Sequence, residues 1–473
     1  MKRRLLSQLV QLMQPAAVEV VGDDVQVGPD VVTDNRDVTP GAIFVAIPGE
    51  RVDGHSFAVA AQDAGASAIV GMAVTDANLP HLLGEDSVQT LSWIARGVVK
   101  EARGRGMTSV GITGSSGKTS TKDLIAQVLE RAGSTVAPAG SMNNEIGVPL
   151  TACRVDDSTQ FLVSEMGARG IGHITWLTSL VPLDIAVVLN VGSAHSGEFG
   201  GIEMTARAKS ELVADLSEEG WAVLNADDER VRAMASKTKA RRAWVGLGEL
   251  PEGDLQVTAK DVELDAVSRP RFTLEVTDVD GTRRAPVSLG VIGRHQVGNA
   301  LSAAAVGVIA GLDVAIIAEA LSSAVARSNW RMALSELRSG ALLINDAYNA
   351  NPESMAAALD TVAEMVAMGR ESHPNAKAIA VLGDMLELGA DSHAAHVGIG
   401  RRCADLGFDQ VIAVGEYAAA IVEGASEGVP HSTVANRDDV TRHIALEAGD
   451  VIVVKGSRQV GLEKVAAALE EEQ

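Results

Sequence analysis

The chain has 473 residues, of which 46% are hydrophobic and only 3% are aromatic. This length exceeds what one hydrophobic core usually supports, so we expect roughly two to four domains packed mainly by aliphatic side chains. The formal net charge of −22 argues against a general nucleic-acid binder, because no broad basic surface is left to neutralise phosphates.

The first 85 residues predict a small α/β domain. The start has an amphipathic helix pattern, and Ser7, Gln8, Gln11 and Gln14 interrupt its apolar positions, so it does not resemble a signal peptide. The stretch VVTDNRDVTPGAIFVAIPGERVDGHSF alternates β-like runs with turns, and FAVAAQDAGA and SAIVGMAV follow as a helix and a strand. We interpret the next segment, DANLPHLLGED, as a linker.

Residues 86–327 predict a central domain built on a parallel sheet. A helix pattern, TLSWIARGVVKEARG, precedes short apolar runs that are typical of buried parallel strands: SVGIT, FLVSEM, DIAVVLNV, WAVLNA and RAWVGL. The polar, alternating residues 252–290 indicate an antiparallel annex. A helix pattern, NALSAAAVGVIAGL, follows it.

Residues 328–473 predict a second doubly wound, Rossmann-like α/β domain. Its strand candidates are ALLINDAY, AKAIAVLGD, DQVIAVGE and DVIVVKGS. Its helix candidates are SMAAALDTVAEMVAMG, HAAHVGIGRRCADLG and TRHIALEAG. Alternating strands and helices predict a parallel sheet, so the fold class of the whole chain is α/β with three domains.

The cellular context follows from two further features of the sequence. No stretch approaches the ~20 continuous apolar residues of a membrane span. The two cysteines, Cys153 and Cys403, are far apart in sequence and form no disulfide framework. We therefore expect a cytoplasmic protein in a reducing compartment.

The segment TGSSGKTS indicates a phosphate-binding loop. Gly114–Thr119 reads G-S-S-G-K-T, although Ile112 stands where the usual signature has its first glycine. Backbone N–H groups of such a loop and the N-terminus of the following helix bind phosphate oxygens. Lys118 can reach the β- and γ-phosphates, and the Thr119 hydroxyl can bind Mg²⁺. An ordinary Gly/Ser turn is the alternative, but a strand candidate precedes the loop and a helix candidate follows it, as the motif requires.

Three further polar residues lie where ligands collect in parallel sheets, near the carboxyl ends of strands. Glu165 ends one strand candidate, His195 follows the next, and Lys209 lies on a predicted helix. A carboxylate and an imidazole can both bind a cation near a triphosphate. Taken singly, a salt-bridged Glu, a structural His and a solvated Lys are the more ordinary interpretations.

Together these motifs resemble those of the Mur ligases, the ATP-dependent amide-bond ligases of cell-wall precursor synthesis. The resemblance spans all three predicted domains. It is carried by TGSSGKTSTK, NNEIGVPLT (Asn143–Thr151), EMGA (Glu165–Ala168), NVGSAHSGEFG (Asn190–Gly200), AKSE (Ala208–Glu211), GRHQVGNALSAAA (Gly293–Ala305), DAYNANPESM (Asp346–Met355), GDMLELG (Gly383–Gly389) and VKGSR (Val454–Arg458).

The resemblance implies roles for particular residues. The ATP site would include Gly114, Ser115, Ser116, Gly117, Lys118, Thr119, Ser120, Asn299, Arg331 and Asp346. The implied catalytic residues are Lys118, Glu165, His195 and Lys209, and the implied Mg²⁺ ligands are Thr119, Glu165 and His195. The implied substrate contacts are Asp34, Asn35, Arg36, Asn143, Asn144, Asn349, Asn351 and Ser354, of which the first three would lie by the UDP-sugar. Asn35 is a departure, because the family favours a small hydroxyl there.

The lysine that corresponds to Lys209 is carried as a carbamate by family members. A lysine must lose its proton before it reacts with CO₂, so the resemblance implies a depressed pKa at this position. Within the family, NNEIGVPLT, AYNANPESM and GDMLELG most resemble the motifs of the ligase that adds D-alanyl-D-alanine to UDP-N-acetylmuramoyl-tripeptide. The implied reaction uses ATP, Mg²⁺ and an acyl-phosphate intermediate, and we expect a monomer.

Three alternatives remain open from the sequence. A sister Mur ligase, or a folate polyglutamylating enzyme, would share the ATP loop and use another amine acceptor. The sister ligase that adds a diamino acid usually carries an Asp-Asn-Pro-Arg motif, which this chain lacks. A nucleotide-switched binding protein would hydrolyse ATP without an acceptor. A degenerate paralogue would keep the fold without activity.

Overall fold

The structure is a computed structural model that describes residues 1–192, 201–426 and 428–472. It contains three α/β units, each built on its own large sheet, which confirms the predicted fold class. The domain bounds 1–85, 86–327 and 328–473 stay a prediction. None of the helices in the described ranges is long and apolar enough to cross a bilayer.

The N-terminal unit is a five-stranded sheet with a small two-stranded ribbon beside it. Its strands are Arg4–Leu5 (β1), Glu19–Val21 (β2), Gln26–Val27 (β3), Val31–Val32 (β4), Ile43–Val45 (β5), Ala68–Gly71 (β6) and His81–Leu83 (β7). Its helices are Leu6–Leu12 (α1) and Ala58–Asp63 (α2). The sheet order is β2-β7-β6-β5-β4, in which only the β2–β7 pair is antiparallel.

The linker prediction for DANLPHLLGED is wrong. Its residues His81–Leu83 form β7, which pairs with β2 on one side and with β6 on the other. His81 and Leu82 are buried there. The strand is only three residues long and follows a proline, so its neighbours in the sheet, rather than a local pattern, stabilise it.

The central unit is a nine-stranded sheet. Its strands are Thr108–Thr113 (β8), Thr135–Val136 (β9), Phe161–Glu165 (β10), Ile185–Val188 (β11), Trp221–Asn225 (β12), Arg241–Gly246 (β13), Leu255–Leu264 (β14), Pro270–Asp278 (β15) and Gly281–Ser288 (β16). The order is β16-β15-β14-β13-β12-β11-β8-β10-β9. Pairs from β9 to β14 are parallel, whereas β14, β15 and β16 are antiparallel, as predicted for the annex.

Helices cover both faces of the central sheet. They are Ser87–Arg103 (α3), Lys118–Leu129 (α4), Gly147–Cys153 (α5), His173–Leu180 (α6), Ile202–Ala214 (α7), Glu229–Ala233 (α8), Gln296–Ile309 (α9) and Val314–Ser323 (α10). Successive strand residues point to opposite faces. Leu162 therefore packs with α3, α5, α6 and α7, and Val163 packs with α4, α9 and α10.

The C-terminal unit is a six-stranded sheet. Its strands are Ala333–Glu336 (β17), Leu342–Asp346 (β18), Ala378–Gly383 (β19), Gln410–Val414 (β20), His431–Val434 (β21) and Val451–Lys455 (β22). Its helices are Pro352–Gly369 (α11), Ser392–Asp405 (α12), Ala418–Ala425 (α13) and Glu463–Glu472 (α14). The order is β17-β18-β22-β19-β20-β21, and only the β17–β18 pair is antiparallel.

The helix predicted over TRHIALEAG is wrong. Arg437–His443 forms a 3₁₀ turn, and residues 444–450 are not helical. Val440 and Ile444 bury their side chains against one face of the third sheet. The Asp450 carboxylate then accepts backbone N–H groups from Glu447 and Lys377 at 2.9 and 2.8 Å. These tertiary contacts bury the apolar side chains of the segment and provide an acceptor for its backbone N–H groups, so no helix is needed.

Candidate functional site

A cavity of about 430 Å³ lies where loops of the central sheet face loops of the C-terminal sheet. Ser115–Ser120 line one side of it, and Lys209 also reaches it from α7. Loops that follow β18, β19 and β22 form the opposite side. Ligands of doubly wound sheets collect at the carboxyl ends of strands, so this cavity is the candidate active site.

The phosphate loop connects β8 to α4 in the geometry that the sequence predicts. Gly117 has φ +79°, and a Cβ there would lie 2.9 Å from Asn299 Oδ1, so glycine suits both the backbone and the space. The N-terminus of α4 follows directly and begins at Lys118. The Lys118 ammonium donates to the Gly114 carbonyl at 2.6 Å, which holds it across the loop.

Asn190, which follows β11, fixes the first half of the phosphate loop. Its Oδ1 accepts the N–H groups of Ser115 and Ser116 at 2.9 and 3.0 Å. The Gly192 N–H also donates to Ser115 Oγ at 2.8 Å. Asn190 lies in one of the motifs that carry the resemblance, although it is not among the predicted site residues.

Glu165 is fully buried at the end of β10, next to the phosphate loop. Its Oε2 accepts from Ser141 Oγ at 3.0 Å, and Asn143 in turn donates to Ser141 at 3.0 Å. Oε1 has no hydrogen-bond partner among the described residues. Burial raises the pKa of Glu165, although Lys118, Lys122 and Arg331 act in the opposite direction.

A buried carboxylate oxygen without a partner is costly unless a cation binds it, so Glu165 fits a divalent metal such as Mg²⁺. Within the described residues, no three His, Cys, Asp or Glu side chains come together as a metal site. The Thr119 hydroxyl, the Glu165 carboxylate and the phosphates of a nucleotide would therefore share the ligation. His195, the other predicted ligand, lies outside the described residues.

The two lysines of the cavity have lowered pKa values. The pKa of Lys118 is lowered to about 8, mainly by burial; the charge of Glu165 acts in the opposite direction, and that of Arg331 acts in the same direction as burial. Burial, with a smaller effect from the positive charge of Lys118, lowers the pKa of Lys209 to about 7. Lys209 is only 3% exposed. A substantial neutral fraction of this amine therefore exists near pH 7.

Two side chains from the C-terminal unit contact the phosphate loop. The Arg331 guanidinium donates to Thr119 Oγ1 at 3.2 Å and stacks on the Tyr348 ring at 4.2 Å. Asn351 Nδ2 donates to the Ser115 carbonyl at 3.4 Å. These contacts bring the last unit against the loop that the sequence assigns to ATP.

Asp346, predicted near the nucleotide ribose, lies just beneath the cavity. Its Oδ2 accepts from Lys455 Nζ at 2.5 Å, and its Oδ1 accepts the Met332 N–H at 3.1 Å. Lys455 also donates to the Asn349 carbonyl at 2.9 Å. Asn299, another predicted nucleotide contact, lies behind the loop and accepts from Thr121 at 3.0 Å. In this arrangement both residues support the walls of the cavity.

The predicted substrate contacts divide into two groups. Asn143, Asn144, Asn349, Asn351 and Ser354 line the cavity. Two of the asparagines also accept N–H groups from the first turns of helices. Asn351 is the N-cap of α11, and its Oδ1 accepts the Ser354 N–H at 2.8 Å. Asn144 Oδ1 accepts the N–H of Gly147, the first residue of α5, at 2.8 Å. These hydrogen bonds at the helix N-termini are enough to explain an asparagine at each position, without any contact to a substrate.

Asp34, Asn35 and Arg36 do not line the central cavity. Asn35 and Arg36 lie in a 3₁₀ turn of the N-terminal unit, Asn35–Asp37, and Asp34 is its N-cap. The Asp34 carboxylate accepts the Arg36 N–H at 2.9 Å and pairs with its guanidinium. This pairing lowers the pKa of Asp34 to about 2. Arg36 is strongly exposed, so a charged group at the surface can reach it.

Several residues that line the cavity were not predicted as site residues. They include Ser141, Arg169, His173, Tyr348, Leu386, Glu387, Ser457, Arg458 and Gln459. Tyr348 and Arg458 lie within motifs that carry the family resemblance, and Arg169 directly follows one, so their position in those motifs was the available signal. Ser141 carries no local signal, because only the fold brings it to the cavity.

Comparisons with known proteins identify the family. Models of the Mur ligase family match three segments: the family catalytic domain over residues 30–102, the middle domain over residues 112–307 and the glutamate ligase domain over residues 330–458. The chain is 39% identical to the UDP-N-acetylmuramoyl-tripeptide--D-alanyl-D-alanine ligase of Mycobacterium tuberculosis strain H37Rv, over 98% of this chain and 97% of that protein.

Solved structures agree with the sequence relatives. A crystal structure of MurF from Acinetobacter baumannii superposes with a TM-score of 0.83 at 28% identity and covers 100% of both chains. MurF ligase from Thermotoga maritima in complex with ADP has a TM-score of 0.75 at 29% identity and covers 94% of this chain and 97% of that chain. On these matches and on the geometry of its cavity, the chain belongs to the Mur ligase family.

Proposed function

We propose that this protein is an ATP-dependent ligase that joins D-alanyl-D-alanine to UDP-N-acetylmuramoyl-tripeptide. One observation carries the proposal: a phosphate loop with Lys118 shares a single cavity with Lys209 and with loops of the C-terminal sheet. The printed names of the M. tuberculosis and A. baumannii relatives support the choice of reaction within the family. The ADP complex of the T. maritima relative supports the nucleotide.

The chemistry requires activation of a carboxylate. The terminal carboxylate of the tripeptide attacks the γ-phosphorus of ATP, and ADP leaves with the bridging oxygen. The amine of the dipeptide then attacks the carbonyl carbon of the acyl phosphate. The C–O bond breaks, phosphate leaves, and the nitrogen loses its proton to give an amide. The protein's task is to place the reactants and to offset negative charge.

Lys118 is suited to stabilise the phosphoryl group in the transition state of its transfer. Its ammonium already lies against the phosphate loop, and the N-terminus of α4 adds partial positive charge. Thr119 and Glu165 would hold Mg²⁺, which offsets charge on the phosphates when it is bound. A carbamate on Lys209 would turn this cation into an anionic group at the same cavity. We propose it because the lowered pKa of this amine favours reaction with CO₂.

The contact between the C-terminal unit and the phosphate loop would protect the acyl-phosphate intermediate, which water hydrolyses. Arg331 and Asn351 join the two sides of the cavity. A closed cavity excludes water from the acyl phosphate and leaves the amine as the nucleophile. We also propose that the protein is a monomer. We propose a cytoplasmic location, where UDP-sugars and ATP are available. The proposed domain bounds are 1–85, 86–327 and 328–473.

The requirement for an acceptor tests this proposal against a nucleotide switch. We expect ADP release to need ATP, UDP-N-acetylmuramoyl-tripeptide and D-alanyl-D-alanine together, because the acyl phosphate is consumed only by the amine. The measurement is the initial rate of ADP release with each substrate omitted in turn. Equal ADP release without the dipeptide would contradict the ligase proposal and favour the switch.

A further inference from the structure

One side of the cavity is formed by two loops of the C-terminal sheet that contribute Leu386, Glu387, Ser457, Arg458 and Gln459. We call these residues the acceptor wall. The two loops are joined to each other, because the Leu386 N–H donates to Ser457 Oγ at 3.0 Å and the Ser457 N–H donates to the Asp384 carbonyl at 2.9 Å. Movement of one loop therefore moves the other.

A buried histidine holds this wall from behind. His396 lies on α12, is fully buried, and its Nε2 accepts the Met385 N–H at 2.8 Å. Its Nδ1 lies 2.6 Å from the Ser392 carbonyl, which can only accept, so Nδ1 carries the proton and the ring is neutral. The ring also stacks on Tyr417 with centroids 4.5 Å apart. Met385 directly precedes Leu386, so the hydrogen bond from Met385 to His396 fixes the position of the first residue of the acceptor wall.

A second set of hydrogen bonds fixes the start of the 384–387 loop. The Asp384 carboxylate accepts the N–H groups of Glu416 and Tyr417, both at 2.9 Å. Asp384 and His393 are the titratable groups that act on the His396 ring, and burial lowers the pKa of His396. The ring therefore stays neutral and keeps accepting from Met385 across the neutral pH range.

The acceptor wall is separate from the contacts that the C-terminal unit makes with the phosphate loop. Arg331 precedes β17 and Asn351 follows β18, whereas the wall follows β19 and β22. The wall also contributes a guanidinium to the cavity. Arg458 stacks on Trp330 at 4.2 Å, pairs with Glu463 through Nη1 at 2.8 Å, and is half exposed. A guanidinium is suited to the carboxylate of a short peptide.

We propose that His396 is a positioning residue for the acceptor site: its bond to the Met385 N–H holds the wall that receives the acceptor dipeptide. This inference rests on the proposed ligase function. His396 touches no substrate, so its loss should affect acceptor binding through the backbone of the 384–387 loop. ATP binding, which depends on the loop before α4, should not change.

Two amide substitutions distinguish loss of the hydrogen bond to the Met385 N–H from loss of the imidazole ring itself. In His396→Gln, the side-chain amide reaches the position of Nε2, and its oxygen can accept from Met385. In His396→Asn, the shorter amide reaches only the position of Nδ1, so the Ser392 bond is kept and the Met385 N–H loses its partner. Both variants lose the stacking on Tyr417 equally. His393→Gln, an exposed histidine on the same helix, is the matched control.

The experiment measures kcat and the KM values for D-alanyl-D-alanine and ATP, together with the melting temperature. We expect His396→Asn to raise the KM for the dipeptide about ten-fold, the effect of one unsatisfied buried N–H, with no change in the KM for ATP. His396→Gln should stay close to wild type in both KM values, although its melting temperature falls like that of His396→Asn. His393→Gln should match wild type.

Equal dipeptide KM values in the Asn and Gln variants would overturn the inference, and so would a rise confined to the KM for ATP. A loss of kcat with unchanged KM values would mean only a smaller folded fraction and would also contradict it. These outcomes are distinct from failure of the proposed function, because in that case the wild-type protein itself would form no ligation product.

Discussion

Lys118→Ala is expected to lower the ligation rate by about 10³-fold or more. The ammonium lies across the phosphate loop, where it can neutralise charge on the transferring phosphoryl group, and a single preorganised donor at such a position is worth about 10²–10³-fold in rate. Lys118 also approaches Glu165 and the second cavity lysine, so its loss changes the charge of the whole site. The measurement is the initial rate of ADP release with all three substrates present.

The fold should survive this substitution. Burial already lowers the pKa of Lys118, so the charged form gains little from its surroundings, and the melting temperature should not fall. Lys100→Ala, which removes an exposed lysine from α3, is the control for loss of one positive charge. Near-normal turnover by a folded Lys118→Ala protein would end the assignment of this loop to phosphate transfer.

Lys209→Ala is expected to lose at least about 10²-fold in rate, in the range of a lost transition-state group. If Lys209 acts as a carbamate, formate or acetate should restore part of the activity by filling the vacated anionic position. The same acids should not restore Lys118→Ala, where a cation is missing. A fully active alanine variant, or an unmodified lysine in electron density of the active enzyme, would rule out the carbamate.

The lowered pKa of Lys209 predicts a pH dependence for the wild-type protein. Only the neutral amine reacts with CO₂, and with a pKa of about 7 the neutral fraction falls as the pH drops below 7. Activity should therefore decline on the acidic side, and added bicarbonate should reduce that decline. Formate-restored Lys209→Ala should lack this response to bicarbonate.

The phosphate loop could be predicted from sequence because its chemistry is local. Six consecutive residues, a preceding strand and a following helix are all within one short stretch, and the structure keeps that order. The same is true of the long apolar strands, whose patterns already indicate burial on both faces. Lys209 could be placed on a helix for the same reason.

The walls of the cavity could not be predicted in this way. Ser141 meets Glu165, and Asn190 meets Ser115, only because strands distant in sequence end at the same edge of the sheet. The short strand at His81–Leu83 was missed for a related reason, since pairing on both sides outweighs its loop-like composition. His396 lies on a predicted helix, but its bond to the Met385 N–H joins a helix to a loop and depends on tertiary packing.

The most direct test of the proposed function is the mass of the product formed from UDP-N-acetylmuramoyl-tripeptide, ATP and a panel of amines. The panel is D-alanyl-D-alanine, D-alanine, lysine and diaminopimelate. We expect a product that is heavier than the tripeptide substrate by one dipeptide less one water. We also expect a preference for D-alanyl-D-alanine over free D-alanine of up to ~10⁴-fold, because a site built to hydrogen-bond a group rejects analogues that lack it. A better yield from UDP-N-acetylmuramoyl-dipeptide with a diamino acid would contradict the account and assign the chain to a sister ligase.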